Sequence, residues 1–103
     1  MKYVVGSTVR PTGSAKESEE AVPRILELLS KWTPPASTTI HQWFTRIDSN
    51  GGFLVVETDN PADLAEATSA FGPFFDFQIH PVIDYADGVS AVQKGVEYRN
   101  SIS

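Results

Sequence analysis

The spacing of hydrophobic residues changes along the chain between a period of two and a period near three and a half, and each change marks an element. Residues 2–10, KYVVGSTVR, are β-branched and close on Pro11 and Gly13, which predicts a first strand. Val22, Ile25, Leu26, Leu29 and Trp32 then recur at helical spacing, as the single buried stripe of a helix. Pro23 lacks a backbone donor, so the firm part of that helix is expected from Ala21, with Glu17 to Glu20 as an acidic lead-in. The prolines of TPPAS (33–37) end it. TTIHQWFTRI (38–47) and GFLVVET (52–58) predict an antiparallel pair of strands, joined where Asn50-Gly51 signals a hairpin. A second helix follows, with Asn60 as its cap, Pro61 at its first position, Leu64, Ala67 and Phe71 on one face, and Gly72-Pro73 as its stop. FFDFQIHPVID (74–84) reads as a fourth strand, with Phe75, Phe77 and Ile79 on one side and Asp76, Gln78 and His80 on the other. Tyr85, Val89, Val92 and Val96 predict a last helix, weakened by Gly88 and Gly95.

Strand, helix, strand, strand, helix, strand is the ferredoxin-like split βαβ order, here α+β with an extra C-terminal helix. It predicts a four-stranded antiparallel sheet in the order fourth, first, third, second, with the two crossover helices on one face. The chain of 103 residues is expected to form one domain, residues 1–103. Val4 and Val5, with Phe53 to Val56, make both faces of the two central strands apolar. The face without helices therefore needs a cover, and a homodimer stacking two sheets supplies it with one self-complementary patch.

Charge narrows the partners. Eight Lys and Arg against thirteen Asp and Glu leave a net charge of −5, which repels a phosphate backbone, so nucleic acid is not expected. The absence of cysteine removes disulfides, thiolate metal sites and cysteine nucleophiles. The start, MKYVVGSTVRP, has too short an apolar run for a signal peptide, and no stretch approaches the roughly 20 apolar residues of a membrane span. A cytoplasmic protein is the expectation.

Chemistry-bearing residues are few. As strand residues, Asp76 and His80 share a face but stand four residues apart, about 13 Å, too far for a direct dyad. His41 falls on the second strand, roughly 14 Å from His80 across three strand spacings, so a two-histidine metal site within one chain is not expected. His41 and Trp43 alternate onto one face, where the indole is a platform and the imidazole an acid, a base or a donor. A packed Trp with a wetted His at its rim is the plainer account. Glu57 is weighed as a general base and Arg10 and Arg46 as carboxylate holders, against solvated ions in each case. Nucleophile-elbow and phosphate-loop glycine patterns are lacking, and GGFLVVET has neither the basic residue nor the paired aromatics of an RNA-recognition strand.

The run GGFLVVETDNPADLAE, followed by FFDFQIHPVID, resembles the dimeric α+β barrel superfamily. It is most similar to an uncharacterised bacterial group within it, the domain-of-unknown-function family thirty-three-oh-three. The resemblance covers most of residues 2–84 and is strongest from Trp43 to Asp84. It implies a homodimer with packed sheets and a cavity between sheet and helices. Superfamily members include cofactor-free monooxygenases, muconolactone isomerase-like enzymes, polyketide cyclases and haem-degrading enzymes, with no shared catalytic set. Trp43 and Asp76 match common positions of the family pattern. Phe44 stands where a His often follows the Trp, and His80 where a small polar residue is usual.

The expectation is thus a small homodimeric domain binding a small apolar or aromatic molecule in a pocket between sheet and helices, with no cofactor and no metal. Cofactor-free isomerase, cyclase or monooxygenase chemistry would rest on His41, Asp76 and His80, with Tyr3 and Trp43 holding the ligand. The sequence leaves open whether any reaction is catalysed. The opposing expectation is a non-catalytic interaction or regulatory subunit with side chains filling the pocket.

Overall fold

A computed structural model describes residues 1–102. The strands are β1 (Lys2–Val9), β2 (Thr38–Thr45), β3 (Gly51–Thr58) and β4 (Phe75–Val82), and the helices α1 (Ala15–Lys31), α2 (Pro61–Phe71) and α3 (Tyr85–Ser101). The antiparallel sheet runs β2-β3-β1-β4, the ferredoxin-like order expected from the sequence. Register fixes which residues share a face. Tyr3 stands opposite Val56, Val5 between Leu54 and Ile79, and Ser7 between Gly52 and Phe77, and all of these point toward the helices. Tyr3, Val5, Val56 and Leu64 form the buried core, flanked by Ile40, Leu54 and Phe77. The other face carries Val4, Phe53, Val55 and Phe44 at its centre, and no element among the described residues covers it: Phe44 and Phe53 keep 53% and 47% of their surface exposed.

The helices differ in how they are held. α2 is capped as its sequence predicts, with the Ala62 N–H donating to Asn60 Oδ1 (3.3 Å) and Pro61 in the first turn, and it buries Leu64 and Phe71. α1 begins six residues before the expected Ala21. Ser14 Oγ accepts from the Glu17 N–H (3.1 Å), and Glu17 Oε2 reaches back to accept from the Gly13 N–H (2.8 Å), so orphan donors at the start find partners and Glu17 to Glu20 are helical. Pro23 sits inside α1 on its solvent side, where water can take the carbonyl left without a donor. No residue of α1 is buried. α3 extends from the end of β4 and has no buried residue either; the long axis reaches 63 Å, and the radius of gyration of 18.2 Å exceeds the roughly 13 Å of a compact 100-residue chain.

Candidate functional site

Because α1 stands off the sheet, a cavity of about 570 Å³ opens beneath it. One wall is the apolar stripe of α1: Val22, Ile25, Leu26 and Leu29. The floor is the helix-facing side of the sheet, where β1 contributes Ser7 and Val9, β2 contributes Trp43 and Thr45, and β4 contributes Phe75. The β2–β3 connection closes one end. Its loop spans residues 46–50 rather than turning on Asn50-Gly51 alone: Arg46 O accepts from the Ser49 N–H (3.0 Å), and the positive φ values fall at Ser49 and Gly51. Two glycines are required there by close approach. A Cβ on Gly51 would lie 1.9 Å from the carbonyl oxygen of Ser7, and one on Gly52 2.3 Å from that of Phe44. Asp48 braces the loop by accepting from the Asn50 N–H (3.0 Å) and from Arg46 (2.5 Å), and these two bonds hold its carboxyl below the usual carboxylate range.

The cavity is apolar with a polar rim. Among the described residues Arg10 is the one charged side chain lining it, accompanied by Ser7, Thr12, Ser18, Thr45, Ser49 and Asn50. Arg10 is already engaged, with Nε donating to the carbonyl of Gly72 (2.7 Å) and Nη1 paired with Asp76 (2.5 Å). Trp43 packs edge-to-face on Trp32 at a centroid distance of 6.1 Å, and Trp32 packs likewise on Phe71 at 6.0 Å. Trp32 and Phe71 border a second, largely apolar void of about 70 Å³ beneath α2, with Thr38 and Thr68 also on its wall. The aromatic relay Trp43, Trp32, Phe71 thus joins the large cavity to the core.

The residues singled out in the sequence divide between the two faces of the sheet. Trp43 lines the cavity. Tyr3 is a core residue, 8% exposed, away from the cavity. Asp76 touches the site only through Arg10. His80 lies on the open face opposite Val4. His41 does not share a face with Trp43 as alternation predicts, because β2 bulges between Ile40 and Gln42; the extra residue, His41, turns to the open face, while Trp43 stays toward the helices opposite Leu54. There His41 Nε2 lies 2.8 Å from Glu57 Oε1, and that hydrogen bond holds the Glu57 carboxyl below its ordinary value. Both histidines therefore stand outside the cavity. Trp32 and the rim of the β2–β3 loop belong to the site although the sequence reading assigned them to helix and turn; the signal for Trp32 was its place at the end of the α1 stripe, next to the proline break.

Among the described residues no cluster of three or more His, Asp or Glu could hold a metal ion, and no helix is long and apolar enough to cross a membrane. The family model described as Domain of unknown function (DUF3303) matches residues 1–96. No curated protein matches the chain.

Proposed function

The chain belongs to the family described as Domain of unknown function (DUF3303), and from that starting point we propose that it is a homodimeric binding protein for a small apolar or aromatic molecule held between α1 and the sheet. The observation that carries the reading is the cavity: its volume of about 570 Å³ falls in the 300–1,000 Å³ range typical of small-molecule sites, and aliphatic side chains of α1 face the exposed indole of Trp43 across it. Hydroxyl and amide groups at the rim orient a ligand through hydrogen bonds. Binding is favoured over acid–base chemistry because neither histidine lines the cavity and its one charged residue is paired with Asp76. The two-copy state is supported by the open sheet face, whose apolar centre of Val4, Phe44, Phe53 and Val55 is ringed by Thr39, His41, Glu57, Asp76 and His80, the layout of an interface core with a polar rim.

Titration of the protein with 1-naphthol, followed by tryptophan fluorescence, tests the cavity. Saturable quenching that disappears in Leu26→Glu is expected. An unsaturable response in the wild type would leave the alternative, an interaction subunit without a small-molecule ligand. Native mass spectrometry of gently purified protein should find a retained small molecule. The two-copy reading fails if sedimentation at micromolar concentration returns only the 11.3 kDa species.

A further inference from the structure

The cavity beneath α1 has a sign of charge opposite to that of the chain around it. Acidic residues outnumber basic ones by thirteen to eight, yet among the described residues no Asp or Glu lines the cavity, and its single charged side chain is Arg10. Arg46, the other arginine weighed as a carboxylate holder, is turned into its own loop by Asp48.

Arg10 is fixed rather than free to sweep the surface. It follows β1 directly, its backbone N–H donates to the carbonyl of Phe74 (2.8 Å), and its Nε donates to that of Gly72 (2.7 Å). Asp76 pairs with Nη1 from outside the cavity, because Phe75 lines the cavity and its neighbour alternates to the open face of the sheet. The Arg10 and Asp76 side chains are 47% and 61% exposed, so water weakens their pair and Arg10 keeps its pull on a second anion. Among the described residues Nη2 has no hydrogen-bond partner, which leaves two donors of an oriented guanidinium uncommitted.

We infer, on the premise of the small-molecule reading above, that the cavity takes an organic monocarboxylate. Its aromatic or alkyl body lies between the α1 stripe and the indole of Trp43, and its carboxylate accepts from Nη2 of Arg10. The planar guanidinium matches that group, and a charge-assisted bond outweighs the neutral bonds offered by the rim hydroxyls. A ligand ammonium meets Arg10 and no carboxylate in the lining. A phosphate monoester brings a second negative charge toward Asp76.

Isothermal titration with three ligands on one ring tests the charge: 1-naphthoate, the neutral 1-naphthamide and the cationic 1-naphthylmethylamine, at pH 7 in low salt. Naphthoate should bind on the order of tenfold tighter than the amide, and the amine weakest. Arg10→Gln should bring the ratio of naphthoate to naphthamide affinity to about one. Asp76→Asn leaves the guanidinium in place without its opposing charge and should widen the ratio, which keeps the test decisive if Arg10→Gln fails to fold. A wild-type ratio near one, a ratio that survives Arg10→Gln in the folded protein, or one unchanged by Asp76→Asn overturns the carboxylate assignment and leaves the cavity as a site for neutral ligands. Absence of saturable binding by all three compounds defeats the small-molecule reading itself.

Discussion

His41 and Glu57 owe their meeting to one extra residue in β2. The hydrogen bond from His41 is the chief cause of the lowered Glu57 carboxyl, ahead of the opposing desolvation and the added attraction of the imidazole and Lys2. A carboxyl lowered on folding stabilises the fold above its ordinary value and loses that contribution as pH falls through the lowered one. His41→Ala should therefore return the Glu57 titration upward to the ordinary carboxylate range, as followed by the side-chain carbon shift in NMR. The same sign applies to Asp48, whose bonds to Asn50 and Arg46 hold the β2–β3 loop above that range and release it in acid. Gly51 carries a steric constraint instead: Gly51→Ala forces a side chain against the backbone of Ser7 at a φ of 138° and should cost more than about 1 kcal/mol, read as a lower urea midpoint. The face taken by Asp76, Gln78 and His80 was legible in the sequence because strict alternation holds through β4. The face taken by His41 was not, since a bulge arises from pairing with β3 and leaves no mark in the composition of β2.

The same division runs through the elements. α2 was readable to its ends because Asn60, Pro61 and Pro73 each act through local backbone geometry that a sequence states directly. α1 was shortened because Pro23 counts against a helix by propensity, whereas a proline on the solvent side sacrifices one hydrogen bond to a carbonyl that water can satisfy. Pro23→Ala restores that donor and should lengthen protection of the α1 amides in hydrogen exchange, by up to the roughly 3 kcal/mol that separates the two residues in a helix interior. Absence of any slowing would mean that α1 opens as a unit before its internal bonds matter. The cavity beneath α1 was legible only in part. The stripe from Val22 to Trp32 predicts what the helix turns inward, but how closely it descends depends on side chains from four other segments.

For the whole molecule, the apolar character of both faces of β1 and β3 was the sequence's clearest statement, and the uncovered sheet face agrees with it. Phe53→Asp puts a charge at the centre of that face without touching the core. For the proposed dimer, it should raise the dissociation constant at least tenfold in sedimentation while leaving the circular dichroism spectrum unchanged; an unaltered association would move the interface elsewhere. The absence of any buried residue in α1 also bears on the thermodynamics of the proposed complex with a small molecule. A molecule seated under that helix supplies apolar contacts that the chain withholds, and so takes the place of a missing layer of core. Binding and folding are then one linked equilibrium: a ligand at a hundred times its dissociation constant adds about 2.7 kcal/mol to stability. The melting temperature, measured against ligand concentration, becomes an assay that needs no knowledge of any reaction.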